Sequence, residues 1–158
     1  ALYLFGTEIE KVFMQVLGTS TGGILYILLY ISALLFSILP TYFQEKNNRS
    51  YSSLGASGAV SAVVFAFILI YPMSFMGVIF VPIFLPAFIF GIIYILTSIY
   101  LEKKQNSLVN HLAHLAGGFY GVIFIAVVFR VLAGVNIFSH FIQSIHIDSI
   151  SYLIHFGY

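Results

Sequence analysis

Long apolar segments separated by short polar ones dominate the pattern of residues along the chain. Four apolar segments, 22–40, 55–71, 87–101 and 110–133, are the predicted membrane spans. A single helix over the uncharged residues 50–101 would be about 78 Å long, at about 1.5 Å per residue, whereas a bilayer core is about 30 Å thick. This run must therefore cross at least twice. The pattern predicts an all-α, polytopic transmembrane helix bundle with about four full spans.

The segments outside these spans are shorter or more polar. Residues 41–54 and 102–107 are predicted polar loops, and Pro72, Pro82 and Pro86 prevent one straight helix between the second and third spans. "ALYLF" at residues 1–5 is predicted to end an earlier helix, and the charged stretch 6–21 to connect it to the first full span. We expect two parts: a membrane domain at 1–133 and an interfacial amphipathic tail at 134–158. The predicted apolar face of this tail carries Phe138, Phe141, Ile142 and Ile145.

Composition supports a membrane protein and excludes several classes of function. The chain has 158 residues, of which 61% are hydrophobic and 7% charged, against about 25% charged in soluble domains. It contains no cysteine, which excludes disulfides and thiolate chemistry. A net charge of +1 argues against nucleic acid as a partner. The lipid bilayer is therefore the expected surrounding of a multi-pass integral membrane protein.

The order of the spans places two chemically interesting residues near one another. Ser57 lies at the start of the second span, and His114 lies at the start of the fourth. Two crossings return a chain to the same side of the membrane. We therefore expect Ser57 and His114 on the same side and at similar shallow depth.

Small residues at four-residue spacing predict that these two helices pack closely. In lipid, close packing of small residues supplies helix association that the hydrophobic effect cannot supply. The small residues form two ridges on the second span, Gly55-Ala59-Val63 and Gly58-Ala62-Ala66, and one on the fourth, Ala113-Gly117-Gly121 with Gly118 beside it.

A serine and a histidine brought together in this way would suit nucleophilic catalysis. A serine hydroxyl needs an adjacent base to take its proton, and His114 is the candidate base for Ser57. The only aspartate of the chain is Asp148 in the tail, so the arrangement would be a dyad. Unpaired backbone N–H groups near Gly55 and Gly58, at the helix start, would face a developing oxyanion.

Structural roles are alternatives for the same residues. A membrane-helix serine commonly bonds back to its own turn, and Ala59 breaks the G-x-S-x-G pattern of soluble hydrolases. His111 is more easily explained as a boundary residue than as a base. A metal pair of His111 and His114 lacks partners in the other full spans, and haem lacks facing histidines. We expect no metal and no cofactor.

The two motifs together resemble the rhomboid intramembrane serine proteases. "GASGA" from Gly55 and "AHLAGGFYG" from Ala113 match that family in order, spacing and helix position, within a resemblance that covers residues 1–133. The resemblance implies that Ser57 is the nucleophile and His114 the base. It implies cleavage of peptide bonds in or near transmembrane segments of other membrane proteins, with water entering from the non-cytoplasmic side. We expect a bacterial inner membrane location with loops 41–54 and 102–107 outside, although their Lys and Arg residues favour the reverse orientation.

Two departures from the family pattern set further expectations. The family's H-x-x-x-N motif, whose side chains help hold the oxyanion, would fall upstream of Ala1, so the chain resembles the C-terminal part of a rhomboid. We therefore expect the 158-residue chain alone to cleave little or nothing. In the family the position four after the serine is often an aromatic residue that stacks on the histidine. Here it is Ser61, so another group must hold the His114 ring.

Two other functions are alternatives to proteolysis. A catalytically inactive rhomboid-like protein would use the same helices to bind transmembrane segments, without needing both Ser57 and His114. A transporter or channel fragment would need polar residues at mid-membrane on several helices, and the predicted spans lack them. The sequence does not determine the substrate or the oligomeric state.

Overall fold

A computed structural model describes residues 1–49, 56–77, 83–104, 109–146 and 155–156. Their six helices are α1 (Leu2–Leu17), α2 (Thr19–Glu45), α3 (Ser57–Ile70), α4 (Ala87–Lys104), α5 (His111–Leu132) and α6 (Ile137–Ser144). Three short strands, β1 (Phe75–Gly77), β2 (Ile83–Pro86) and β3 (His155–Phe156), form one antiparallel sheet in the order β1-β2-β3. The predominance of helix agrees with the predicted all-α class.

Two of the described helices, α2 and α5, are long and apolar enough to cross a membrane. The predicted count of about four full spans is therefore not confirmed. Helix α3 has 14 residues, which rise about 21 Å and fall short of a bilayer core of about 30 Å. Helix α4 has 18 residues, but its last three are Glu102, Lys103 and Lys104.

The short helix α3 is the centre of the bundle. Of its 14 residues, 12 are buried, including every residue from Ser61 to Ile70. It packs most extensively against α5 and also contacts α1, α2, α4 and α6. A helix that is apolar on all sides is typical of a protein core or of a membrane span. The sequence of α3 therefore matches its position as a core helix.

Glycines bring the backbones of α3 and α5 together at two points, one helical turn apart. A Cβ added to Gly117 would overlap the backbone of Gly58, and one added to Gly121 would overlap the backbone of Ala62. Gly58 itself lies between the Ser37 side chain of α2 and the Ala113 carbonyl of α5. The three helices thus meet where α3 begins.

The outer faces of the longer helices expose large apolar side chains. Soluble proteins rarely expose such continuous apolar surface, so these faces suit contact with lipid. The most exposed examples are Ile24, Leu35 and Phe43 on α2, Ile92 and Leu96 on α4, and Phe119 and Val131 on α5.

The predicted connection at 6–21 is wrong, because α1 continues through it to Leu17. Ile9, Val12 and Phe13 are buried at helical spacing, while Glu8 and Lys11 form an ion pair of 2.7 Å on the exposed side. The polar residues that suggested a loop are one face of an amphipathic helix. The break comes at Gly18, whose φ of 86° lies in the left-handed region that glycine adopts without strain.

The polar loop predicted from residue 41 begins later than expected, because α2 continues to Glu45 with Pro40 inside it. The stretch between α3 and α4 that contains Pro72 and Pro86 is not a straight helix, which agrees with the prediction. There β1 pairs with β2, with Phe75 opposite Pro86. Pro82 lies outside the described residues.

The helix predicted for the tail is shorter than expected. In the described part, α6 covers only Ile137–Ser144, and β3 follows at residues 155–156. Phe138 and Ile142 are exposed, as an interfacial face requires, whereas Phe141 packs against the core. His140 Nε2 lies 2.9 Å from the Ile70 carbonyl oxygen, a hydrogen bond that joins α6 to the last turn of α3.

The first turn of α5 is capped by two side chains from neighbouring segments. Asn110 Oδ1 accepts hydrogen bonds from the Ala113 N–H at 2.9 Å and from the Thr41 hydroxyl at 3.0 Å. Glu102 Oε2, at the end of α4, accepts from the Leu112 N–H at 3.0 Å. These bonds satisfy helix N–H groups that have no partner within the helix. They also join the start of α5 to the ends of α2 and α4.

We expect Gly121→Ala to destabilise the protein, because the new methyl group meets the α3 backbone, which cannot rotate aside. Overpacking of this kind costs roughly 1–3 kcal/mol. The midpoint of thermal unfolding in detergent measures the change. Gly23→Ala is the matched control, since its Cβ would meet only the terminal Met14 methyl group, at 3.3 Å. An unfolding midpoint for Gly121→Ala at or above that of Gly23→Ala would contradict this packing.

We expect Asn110→Ala to lower the free energy of unfolding by about 1 kcal/mol or more, because it removes the acceptor of the Ala113 N–H. Asn110→Ser keeps a capping oxygen and is expected to retain much of the stability. Asn136 caps the short α6 by accepting hydrogen bonds from the Phe138 and Ser139 N–H groups. Asn136→Ala is therefore a comparison variant that removes a similar cap from another helix. Equal stability of Asn110→Ala and the wild type in denaturant titration would refute a capping role.

Candidate active site

The contact between α3 and α5 places the two candidate catalytic residues at the same end of the bundle. Ser57 is the first residue of α3, and His114 is the fourth residue of α5. The residue after Ser57 touches the residue before His114: a Cβ on Gly58 would lie 3.0 Å from the Ala113 carbonyl oxygen. Each candidate is thus a direct chain neighbour of a residue in the helix contact.

The His114 ring has a buried nitrogen with no hydrogen-bond partner. Among the side-chain atoms that the structure describes, His114 Nε2 is the one buried nitrogen or oxygen in this condition. No hydrogen bond therefore joins Ser57 Oγ to this nitrogen here, and the Ser–His dyad stays a prediction. Buried polar groups are nearly always paired, so an unpaired one needs an explanation, and a catalytic role is one of the recognised explanations.

Two aromatic rings hold the His114 ring. Tyr94 of α4 is stacked on it, with ring centroids 6.3 Å apart and an interplanar angle of 21°. His111 meets it edge-on, with centroids 5.9 Å apart and an angle of 78°. Sequence reasoning required some group to hold this ring but did not identify Tyr94. The only signal in the sequence was a tyrosine, with its polar tip, in the middle of an apolar helix.

The Tyr94 hydroxyl is bound in turn to α3. It lies 2.8 Å from Ser61 Oγ, and Ser61 Oγ lies 3.1 Å from the carbonyl oxygen of Ser57. A chain of contacts therefore runs from the backbone of the candidate nucleophile to the ring of the candidate base. Ser61, in the middle of this chain of contacts, occupies the position at which the family often has an aromatic residue.

The start of α3 differs from the starts of α5 and α6, because no side-chain cap is found there among the described residues. Its N-cap is Ala56, which has no side-chain acceptor, whereas Asn110 and Asn136 cap the other two helices. Within the described residues, Val60 is the first residue of this turn whose N–H has a backbone acceptor, the Ala56 carbonyl oxygen at 3.0 Å. Gly58 is part of this turn, whereas Gly55, the other predicted contributor, lies outside the described residues.

The remaining glycines of the predicted site have packing contacts. Gly117 and Gly121 lie against the α3 backbone, and Gly118 lies under the Phe65 ring, where a Cβ would be 2.7 Å from the nearest ring carbon. Phe65 also contacts Tyr94 edge-on, with ring centroids 5.5 Å apart. These contacts fix the depth and rotation of α5, and with them the position of His114.

A polar cavity of about 250 Å³ opens at the ends of α2 and α4 and the start of α5, and its lining includes His111 but neither Ser57 nor His114. Its polar lining residues are Thr41, Gln44, Glu45, Asn48, Glu102, Asn110 and His111. The cavity is roomy and polar enough to hold water. Across the described ranges, no three His, Cys, Asp or Glu residues are grouped as a metal site requires.

Comparison with known proteins identifies the family. The family model described as "Rhomboid domain" matches residues 1–131. Searches of curated proteins and of solved structures gave no match. The match covers most of the chain, including both helices that carry Ser57 and His114, and the chain therefore belongs to the rhomboid family.

Proposed function

We propose that the protein is an intramembrane serine endopeptidase in which Ser57 is the nucleophile and His114 the general base. The observation that carries this proposal is the buried, unpaired His114 Nε2, on the helix that packs backbone to backbone against the helix beginning with Ser57. A base must have a nitrogen free to accept a proton. A buried histidine with a purely structural role would be expected to use that nitrogen in a hydrogen bond.

The reaction proceeds through an acyl-enzyme. Ser57 Oγ attacks the carbonyl carbon of the scissile peptide bond while His114 Nε2 takes the hydroxyl proton. The tetrahedral intermediate collapses, the C–N bond breaks, and His114 returns the proton to the leaving amine. Water then attacks the ester with the same base, which releases the new carboxyl group and regenerates Ser57. The cavity beside His111 offers a place from which this water can come.

The uncapped first turn of α3 supports a role in stabilising the oxyanion. Backbone N–H groups that need not reorganise are effective at a carbonyl oxygen that gains charge in the transition state. The N–H groups of Gly58 and Ala59 belong to this turn, and the Val60 N–H is already bonded to the Ala56 carbonyl at 3.0 Å. We assign the oxyanion to the groups that precede Val60.

The apolar outer surface supports transmembrane segments as substrates. Large apolar side chains cover the outer faces of α2, α4 and α5, so a substrate segment can reach the bundle through lipid. The proposal includes a multi-pass arrangement in a bacterial inner membrane, with a membrane domain at 1–133, a tail at 134–158, and the starts of α3 and α5 towards the outer side. Substrate and lipid are the partners that it requires.

We expect a fluorophosphonate probe to label Ser57 in detergent-solubilised protein, because the probe reacts with an activated serine hydroxyl and does not require a bound transmembrane substrate. Ser57→Ala removes the nucleophile and His114→Ala removes the base, so each is expected to abolish labelling. Intact-mass and peptide mass spectrometry measure the extent and position of labelling. His140→Gln is the matched control, since His140 lies at the opposite end of α3 and is expected to leave labelling unchanged.

The other outcomes decide between functions. Labelling that survives His114→Ala and disappears in His111→Ala would move the base to His111. No labelling of folded wild-type protein would reject the endopeptidase proposal. Specific binding of a transmembrane segment by such unreactive protein would favour the inactive rhomboid-like binding protein.

A further inference from the structure

We propose that Tyr94 is a positioning residue for His114 and that Ser61 fixes Tyr94 in place by a hydrogen bond. This inference rests on the proposed function, because it concerns how the base is oriented. It assigns roles to two residues on different helices, α4 and α3, that do not contact the substrate. The Tyr94 ring acts on His114 through its face, and the Tyr94 hydroxyl acts through Ser61.

The need for such a residue follows from the state of His114. Its Nε2 has no hydrogen-bond partner, so no polar contact at that nitrogen fixes the rotation of the ring. Packing against other rings must do so instead. The Tyr94 ring lies within the range of centroid separations, about 4.5–7 Å, in which aromatic pairs interact, and its small interplanar angle gives an offset stack.

Two rings at different angles restrict His114 more than one could. The Tyr94 ring lies nearly parallel to the imidazole, while the His111 ring lies nearly perpendicular to it. His111 belongs to the same helix and moves with His114. Tyr94 belongs to α4. Of the two neighbouring rings, only Tyr94 can therefore fix the His114 ring relative to another helix.

The hydrogen bonds of Ser61 determine the direction of the Tyr94 hydroxyl. A serine hydroxyl has one proton, and Ser61 Oγ donates it to the Ser57 carbonyl oxygen at 3.1 Å. The contact of 2.8 Å between Ser61 Oγ and Tyr94 is then a bond in which Tyr94 donates. Both hydroxyls are satisfied, and Tyr94 is held to the turn that carries the nucleophile. Ser61 is buried, so water does not compete for this bond.

The first experiment measures the rate of fluorophosphonate labelling at Ser57 as a function of probe concentration. Tyr94→Leu removes the stacked ring, and we expect the rate at saturating probe to fall about 10- to 100-fold, since small misplacements of catalytic groups have effects of that size. The concentration for half-saturation is expected to change little, because the proposed role of Tyr94 is to orient His114 and not to bind the probe. Tyr100→Leu makes the same substitution on the exposed side of α4 and is expected to label at the wild-type rate.

Variants of the hydroxyl pair test the role of Ser61. Tyr94→Phe keeps the ring and loses the bond, so we expect a moderate loss of about 5-fold, the equivalent of about 1 kcal/mol for a neutral hydrogen bond. Ser61→Ala is expected to have a similar effect. The double variant is expected to be no slower than either single variant, because both remove the same bond. Effects that multiply to about 25-fold would show that the two residues act independently.

A second measurement reports on the ring contact without requiring activity. In protein labelled at histidine, the His114 ring resonances, assigned by comparison with His114→Gln, are expected to move in Tyr94→Leu because the ring current of Tyr94 is lost. They are expected to stay near their wild-type positions in Tyr100→Leu. Thermal unfolding midpoints identify any variant that fails to fold. If Tyr94→Leu does not fold, Tyr94→Phe and Ser61→Ala, which keep the ring, test the positioning role through the Ser61 bond.

The two proposals fail in different ways. Wild-type protein that is not labelled at all refutes the endopeptidase, while the His114 resonances still test the contact with Tyr94. Wild-type protein that is labelled, with Tyr94→Leu labelled equally fast, overturns the positioning role and leaves the dyad intact. Unchanged His114 resonances in folded Tyr94→Leu overturn it as well.

Discussion

The close approach of the α3 and α5 backbones is the constraint on which the candidate site depends. Gly117 lies against Gly58, and Gly121 lies against Ala62, two contacts one turn apart on the same ridge. Two such contacts determine both the relative rotation and the relative depth of the helices. In lipid this packing supplies the attraction between helices that the hydrophobic effect supplies in water. Because Ser57 and His114 are chain neighbours of the contact residues Gly58 and Ala113, the same packing fixes the positions of their Cα atoms.

The structure secures the surroundings of His114 while its Nε2 is left unpaired. A buried polar atom without a partner costs about 1–3 kcal/mol. The start of α5 is held by hydrogen bonds of Asn110, Thr41 and Glu102, which join it to α2 and α4. The start of α3 has no side-chain cap in the described part of the chain, although capping would be the stabilising choice there. His114 and the start of α3 lie at the same end of the bundle, which is the end that contains the candidate site.

Local patterns allowed the helix contact to be predicted, but they misled where one helix face is polar. The spacing of Gly117 and Gly121 is visible along a single helix. In contrast, Glu8 and Lys11 suggested a connection, although the buried spacing of Ile9, Val12 and Phe13 already had the helical period. The apolar run 55–71 also predicted a full membrane span where α3 has only 14 residues. The length of a core helix surrounded by protein need not match the thickness of the bilayer. The contact of Tyr94 with His114 joins residues from two helices and depends on how α4 lies, which no local pattern gives.

The orientation of His114 depends on helix α4, which packs only to a limited extent against the α3–α5 pair. This helix contacts α5 and α3 less extensively than those two contact each other, and much of its surface is exposed and apolar. The contacts between α4 and α3 include the Tyr94–Ser61 hydrogen bond, the edge-on contact of Tyr94 with Phe65, and Gly91, whose added Cβ would lie 3.2 Å from the Ile68 side chain. At the start of α5, Glu102 adds a further attachment. The position of the imidazole is thus set by the rigid α3–α5 pair, while its orientation depends on a few polar contacts from a more loosely packed neighbour. A change at any of these contacts would act on the base without touching either Ser57 or His114.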